Sequence, residues 1–302
     1  MAGQQIKLFL VDGSPGGLTT AEITNWTGHV LHARRSDLGA LLNRAEAQRT
    51  GVYLLLADDP TAIGETRCYI GEADVVADRL RHHHRDNEFW DRAVVVTSKD
   101  TNLTKSHGRY LEARLIALAT KAARVSLENS TKPPLPALPE ADASDMDFFL
   151  AQLQIVLPVL GVNAVRSALA PAVNAAPAPV RSSPLFRLVV ARTNAQARQI
   201  DGEFTVLAGS RVVASWSDRG SAESTRRAYE SYRERHARLV HDGSIRVQDG
   251  VGVLTRGVVF SSPSLAGAVM IGRSCNGRIS WVSDDGNFGQ WEARNITPVP
   301  GG

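Results

Sequence analysis

The sequence contains little cysteine, and its two cysteines are not spaced like the ligands of a metal site. Among 302 residues the thiols are Cys68 and Cys275. Cys68 falls inside an apolar strand pattern, so we expect two buried, reduced thiols in a cytoplasmic protein. The pattern predicts neither a disulfide framework nor a cysteine-based zinc motif.

The sequence also lacks an apolar run long enough to cross a membrane. LFLV near the N-terminus is too short for the core of a secretory signal, and Asp12-Gly13 follows it. The most apolar later stretch, IVLPVLGVNAVRSALA, is interrupted by Pro158, Asn163 and Arg166. We therefore expect a cytoplasmic protein with no membrane partner.

Lysine is absent after Lys132, and every later cation is an arginine. The formal net charge is +3, which is compatible with a polyanionic partner. Arginine can hold a phosphate through two parallel hydrogen bonds, whereas a compositional bias of the source organism would produce the same distribution. Charge alone therefore does not identify a partner.

Length and composition predict about two α+β domains joined by a linker. Residues 1–50 have strand and turn patterns, with Ser36 as the expected cap of a short helix, and predict a β-rich N-terminal extension. The other predicted segments are a compact αβ unit at 51–131, a helical extension at 132–167, an Ala/Pro-rich linker at 168–184 and a C-terminal domain at 185–302. In that last domain, GRISW is expected to be a strand that ends at Trp281.

The most informative stretch runs from Gly51 to Glu112. The apolar run GVYLLLA begins with Gly51-Val52-Tyr53, and a second short run contains Tyr69-Ile70-Gly71. A helical segment then carries Arg79 and His83, four residues apart and so on one helix face. A longer helical pattern carries Glu112 beside its apolar stripe, with Lys105 two turns earlier on the same side.

This order of a tyrosine strand, a second tyrosine strand, an arginine helix and a glutamate helix resembles the GIY-YIG nuclease family over about 80 residues. The resemblance implies a small antiparallel sheet flanked by helices. It assigns catalytic roles to Tyr53, Tyr69, Arg79, His83 and Glu112, and it makes Glu112 the ligand of Mg²⁺ or Mn²⁺. Gly71, Asn129 and Lys105 are expected to lie at the bound nucleic acid. The first motif departs from the family by reading Gly-Val-Tyr, and the histidines on either side of His83 leave open which imidazole acts.

Phosphodiester hydrolysis needs a water nucleophile, a proton acceptor, positive charge at the phosphorus and help for the leaving oxygen. Glu112 could hold a divalent cation, and the Arg79 guanidinium could stabilise the developing charge. A tyrosine beside a cation and an arginine could have its pKa lowered enough to activate water. Taken singly, each tyrosine is equally consistent with packing and Glu112 with a solvated helix face.

The C-terminal domain, in GSRVVASW and FSSPSLAGAVMIGRSCNGRISW, resembles a domain of unknown function that often ends GIY-YIG chains. It is also similar to modules attached to restriction and adenine-methylation enzymes, which implies binding to DNA that includes modified bases. Arg226 and Arg227 are expected to contact the nucleic acid and Trp281 to stack on a base. A solvated, ion-paired helix and a core tryptophan would explain the same residues.

The sequence therefore predicts a metal-dependent DNA endonuclease of restriction, phage defence or repair, the biological setting being an analogy. One site per chain would need a homodimer, or two successive events, to cut both strands. Two alternatives stay open: a non-catalytic DNA-binding protein that retains the fold, and a nuclease directed at RNA.

Overall fold

The computed structural model describes residues 3–59, 66–166, 182–200, 202–216 and 223–294. Over these residues the molecule is α+β, with two sheets and eight α-helices. It divides into two compact units, residues 1–167 and 168–302. The predicted N-terminal and helical extensions are thus parts of the first unit. The predicted linker at 168–184 lies outside the described residues except for 182–184.

Seven strands form the sheet of the first unit: β1 (Ile6–Leu10), β2 (Thr19–Ile23), β3 (Gly28–Arg34), β4 (Gly51–Asp58), β5 (Thr66–Ala73), β6 (Arg92–Ser98) and β7 (Val125–Leu127). Their order is β1-β2-β3-β6-β4-β5-β7, and only the pair β5 and β7 is parallel. Because β3 pairs with β6 along its length, the N-terminal strands extend the same sheet rather than forming a separate layer.

Helices cover both faces of this sheet: α1 (Leu38–Leu42), α2 (Val76–Asp86), α3 (Lys105–Ala122) and α4 (Glu140–Val159). Side chains alternate between faces along a strand, and β4 is buried on both faces. Its even-numbered residues Val52, Leu54 and Leu56 join a core with α3 and α4. Tyr53 and Leu55 join a second core with α1 and α2. The two tyrosines of the sequence motif therefore belong to the α2 face.

On its outer side, β5 pairs with β7 only from Thr66 to Cys68. Beyond that point the side-chain amide of Asn129 takes the place of a neighbouring strand. Its Oδ1 accepts from the Ile70 backbone N–H at 3.0 Å, and its Nδ2 donates to the Ile70 carbonyl at 2.7 Å. The backbone of residues 71–73 consequently faces an edge that no described strand covers.

The second unit contains the strands β8 (Phe186–Val190), β9 (Thr193–Ile200), β10 (Glu203–Val206), β11 (Arg211–Val213), β12 (Ile245–Gln248), β13 (Val251–Leu254), β14 (Val258–Phe260), β15 (Val282–Ser283) and β16 (Gly286–Asn287). The main path of its sheet is β12-β13-β11-β9-β8-β15-β16, and β10 pairs with β9 and β14. Its helices are α5 (Glu223–His241), α6 (Pro263–Ile271), α7 (Gly277–Ser280) and α8 (Phe288–Ala293). A single apolar core surrounds α6, of which residues 266–270 are buried.

Two local predictions are wrong. Ser36 lies in a 3-10 turn, and the short helix begins after Asp37, because the Ser36 hydroxyl bonds the Asp37 carboxylate instead of a helix N–H. The expected strand through GRISW is the helix α7, whose glycine packs against Pro263 so closely that a Cβ would overlap the backbone there. None of the described helices has the length and apolarity that a membrane span requires.

Candidate active site

The two motif tyrosines lie on one face of the sheet, beside its open edge. Tyr53 is paired with Gly71 and Tyr69 with Leu55, so the rings are diagonal neighbours with centroids 6.2 Å apart. The Tyr53 phenol crosses over Gly71, where a Cβ would overlap its hydroxyl oxygen. The third residue of the second motif is therefore a glycine because only a hydrogen leaves room for the Tyr53 phenol. We expected Gly71 to lie at bound nucleic acid, and the structure gives it this packing role.

His83 is the imidazole that joins the tyrosines. Its Nε2 lies 2.9 Å from the Tyr53 hydroxyl, and its ring centroid lies 4.9 Å from that of Tyr69. His82 instead bonds the backbone carbonyl of Asp78 at 2.7 Å, and His84 is exposed. The structure thus singles out the middle histidine of the triplet, because helix geometry points only that residue at the sheet.

The protonation of His83 follows from its surroundings. Burial, with the positive charge of Arg79, lowers the pKa of His83 to about 4, so the ring is neutral at neutral pH. The Asn87 side-chain nitrogen lies 3.0 Å from Nδ1. An amide nitrogen only donates, so Nδ1 accepts and the proton of the neutral ring is on Nε2. His83 therefore donates to the Tyr53 oxygen.

Arg79 is exposed on α2, one turn before His83, and interacts with both phenols. Hydrogen bonding to Tyr53 is the main reason that the pKa of Arg79 is raised. The lowered pKa expected for Tyr53 requires a cation as well as Arg79, and the protein's own groups together act in the opposite direction. Burial is the largest effect and raises the pKa of Tyr53 well above its usual range, with Tyr69 adding to it, and Arg79 offsets only part of the rise. With these groups alone, the Tyr53 phenol is neutral at neutral pH.

Glu112 reaches the same edge from the opposite face of the sheet. It is half-buried on α3, and the backbone N–H of Glu72 is near enough to lower the pKa of its carboxyl slightly. Burial, followed by the charge of Glu72, raises the pKa of Glu112 to about 6, whereas Arg109 and Arg79 act in the opposite sense. Glu112 is thus within electrostatic range of Arg79, and the five expected catalytic residues lie on the two faces of the sheet around residues 69–72 of β5.

Glu72 is a site residue that the sequence did not reveal. Its Oε1 lies 3.7 Å from the Arg109 Nε, longer than an ordinary hydrogen bond. Its Oε2 is buried and has no hydrogen-bond partner among the described residues. In a sequence, a single glutamate near the end of a strand is typical of a solvent-exposed position.

Asn87 is a second residue of the candidate site that the motif does not include. Its spacing of four residues from His83 on a helical pattern indicates that the two side chains can be in contact.

The donor set suits a hard divalent cation. In the described part of the chain no group of three or more His, Cys, Asp or Glu side chains is placed to hold a metal ion. Magnesium is commonly held by one or two carboxylates, with water and substrate phosphate completing its six ligands. The half-buried Glu112 and the unpartnered Oε2 of Glu72 provide that chemistry. These residues therefore fit Mg²⁺ or Mn²⁺.

The other expected nucleic-acid contacts of the first unit are engaged within the protein. Lys105 forms an ion pair of 2.6 Å with Asp74 and is half-exposed. Both polar atoms of the Asn129 side chain bind the backbone of Ile70. The structure thus gives Asn129 a role in securing β5, which orients the neighbouring Tyr69 and Gly71.

In the second unit, the expectation that Trp281 stacks on a base is wrong. Its side chain is fully buried, its Nε1 donates to the Pro263 carbonyl at 2.9 Å, and its ring packs edge-on against Phe204. Arg226 and Arg227 belong to α5, but their side chains are outside the described residues. Further along α5, burial lowers the pKa of Arg235 to about 10, so this arginine is part of the packing around Phe260.

Comparison with protein families matches residues 186–290 to a model described as Domain of unknown function (DUF4357). The resemblance of the C-terminal domain to a domain of unknown function is thereby confirmed. The match covers about a third of the chain and includes most of the second unit. No curated protein and no solved structure matches the chain. The assignment of the first unit therefore depends on the geometry of its own residues.

Proposed function

We propose that the first unit is a GIY-YIG-type nuclease domain and that the protein is a metal-dependent DNA endonuclease. The observation that carries the proposal is the cluster of two phenols, an imidazole and a guanidinium beside one open strand edge, with the Glu112 carboxyl on the other face within electrostatic range of the guanidinium. These groups come from β4, β5, α2 and α3 and are up to 59 positions apart in the sequence. Packing alone gives no reason for five polar groups to converge beside an uncovered edge.

Tyr53 would be the group that accepts the proton of the attacking water. As a phenolate its oxygen would be stabilised by the Nε2–H of His83 and by Arg79. Burial disfavours this phenolate, and positive charge at the site would favour it. Water would then attack phosphorus as its proton passes to the Tyr53 oxygen, the bond from phosphorus to the leaving oxygen would break, and that oxygen would take a proton from solvent water.

Arg79 would stabilise the negative charge that develops on the phosphoryl oxygens, since it is exposed and always protonated. Tyr69 is half-buried and faces the same space, so its hydroxyl is available to donate to the phosphate. Glu112 would hold Mg²⁺ or Mn²⁺. When bound, such a cation neutralises phosphate charge and lowers the pKa of water.

The test is cleavage of supercoiled plasmid by the full chain with Mg²⁺ or Mn²⁺. We expect Arg79→Ala and Glu112→Gln each to lower the cleavage rate by about 10²–10³-fold, the usual effect of removing a charge-stabilising group. A single-stranded RNA of matched length in the same assay separates DNA from RNA preference.

Two matched variants control for charge and folding. Arg81→Ala removes an arginine of the same helix that is paired with Asp78 at 2.6 Å, and Glu140→Gln neutralises an exposed glutamate at the start of α4. Both should cleave at the wild-type rate. Cleavage that survives in Arg79→Ala and Glu112→Gln, or a wild-type chain that cuts neither substrate with any divalent cation, would overturn the proposal.

A further inference from the structure

We propose that Glu72 is a second carboxylate ligand of the divalent-cation site, and that it acts together with Glu112. This inference rests on the proposed function for the identity of the cation, but it concerns a residue that the nuclease motif does not include. The sequence places Glu72 directly after the motif glycine, Gly71, at the end of β5.

The first support is the position of the two carboxylates relative to the strand edge. Side chains alternate along β5, so Glu72 lies on the α3 face, whereas Tyr69 and Gly71 lie on the α2 face. Its Oε2 lies close to Gly108, 3.7 Å from where a Cβ of that residue would be, one helical turn before Glu112. The backbone N–H and the charge of Glu72 both affect the pKa of Glu112, so the two residues are neighbours. Both carboxylates therefore lie near each other on the α3 face of β5.

The second support is the incomplete pairing of Glu72. Its side chain is 17% exposed, and one oxygen is buried without a hydrogen-bond partner in the described part of the chain. The other oxygen has only Arg109 at 3.7 Å. A buried carboxylate oxygen normally has a partner, because losing water without replacement is costly. A cation between the two glutamates would supply that partner and remove the repulsion between them.

The surrounding charges are compatible with this arrangement. Arg109 is 60% exposed, its Nε lies 3.7 Å from Glu72, and its charge also lowers the pKa of Glu112, so it can turn toward solvent or phosphate when a cation binds. Arg79 faces the phenols on the other side of the edge. Lys105, the remaining nearby cation, is paired with Asp74. None of these cations makes a short hydrogen bond to Glu72.

The experiment measures Mn²⁺ binding by calorimetry on the full chain at neutral pH, without nucleic acid. We expect Glu72→Gln and Glu112→Gln each to weaken Mn²⁺ binding by at least about 10-fold. Asp74→Asn is the matched control. Asp74 lies two residues after Glu72, and its exposed carboxylate is already paired with Lys105. It should change the affinity by no more than about 2-fold.

The double variant Glu72→Gln/Glu112→Gln shows whether one ion contacts both residues. For a shared ion, its loss of affinity should be smaller than the two single losses combined, since either substitution already dismantles the site. Mn²⁺ should also raise the melting temperature of these variants less than that of the wild type, because weaker binding stabilises the folded state less.

The outcomes separate this inference from the proposed function. If Glu72→Gln binds Mn²⁺ as the wild type does while Glu112→Gln does not, Glu72 is not a ligand and the nuclease proposal is unaffected. A wild-type chain that takes up no Mn²⁺ also overturns the inference. If binding depends on both glutamates but plasmid is never cut, the cation site stands and the nuclease proposal fails.

Discussion

Tyr53 and Trp281 are both aromatic residues with fully buried side chains, yet the polar atoms of their rings meet different groups. The Tyr53 hydroxyl meets a titratable imidazole and a guanidinium beside an open strand edge. The Trp281 N–H meets a main-chain carbonyl inside an apolar core. Burial alone therefore does not indicate the role of an aromatic residue. The hydrogen-bond partner of its polar atom is more informative, and that partner differs between Tyr53 in the first unit and Trp281 in the second.

The largest expected effect comes from removing the Tyr53 hydroxyl. Tyr53→Phe keeps the ring and its packing but leaves no oxygen to accept a proton, so cleavage should fall by about 10²–10⁴-fold. Plasmid cleavage under single-turnover conditions measures it. Tyr110→Phe is the control, because it removes a hydroxyl bonded to Asp147 on the opposite face of the sheet. Equal rates in the two variants would mean that the Tyr53 hydroxyl has only a packing role.

Gly71→Ala tests whether the glycine holds the Tyr53 phenol in place. The new methyl group would overlap the Tyr53 hydroxyl, so the ring must move and cleavage should fall by roughly 10²-fold, since small displacements at a reacting group are costly. Gly39→Ala adds the same methyl group where no atom lies within 4 Å. It should leave the rate unchanged. Wild-type cleavage by Gly71→Ala would show that the phenol can shift without consequence.

Asn87→Asp tests the protonation of His83. An aspartate accepts from Nδ1, so the neutral ring would present a lone pair instead of an N–H to Tyr53, and the pKa of His83 would rise from about 4. Below the raised pKa the charged ring still donates from Nε2, and above it the donor is lost. The rate relative to wild type should thus decline with increasing pH, by roughly 10-fold at its alkaline end.

The control for this profile is Asn25→Asp, the same substitution at an exposed position remote from the site. Its cleavage profile should follow that of the wild type. An Asn87→Asp variant with an unchanged profile would remove Asn87 from the chain of hydrogen bonds that reaches Tyr53.

The smallest effect on cleavage is expected from Trp281→Phe, which removes the bond to Pro263 and part of the packing against Phe204. The free energy of unfolding should fall by about 2–4 kcal/mol, measured by denaturant titration, because a buried acceptor loses its partner and a cavity forms. Cleavage and DNA affinity at a temperature where the variant is folded should not change. A selective loss of DNA affinity would show that Trp281 contributes to a DNA-binding surface.

The secondary structure around the site could largely be predicted from the sequence. The apolar run that begins at Gly51 is β4, and LTKSHGRYLEARLIALATKAAR is α3, which begins after the capping residue Thr104. Both patterns are local, so propensity and periodicity specify them. The placement of β6 between β3 and β4 depends on contacts distant in the sequence, and no local pattern encodes it.

The sequence predicts which residues lie at the candidate site better than it predicts their pKa values. The family resemblance named Tyr53, His83 and Glu112, but their pKa values depend on how deeply each is buried and on neighbours from other elements. The sequence does not indicate Glu72, because its lack of a hydrogen-bond partner arises only when α3 packs against β5. The sequence identifies the ionisable residues, but the burial and the neighbouring groups that set each pKa depend on the fold.

The edge of β5 has a consequence for self-association. An uncovered strand edge ordinarily invites a strand from another molecule, which leads to fibrils or swapped dimers. Here the outward-facing groups of Ile70 are bound by the side-chain amide of Asn129, and the Glu112 carboxyl lies near the N–H of Glu72. The two side chains thus hinder another molecule from pairing with this edge, so we expect replacement of Asn129 or Glu112 to increase self-association.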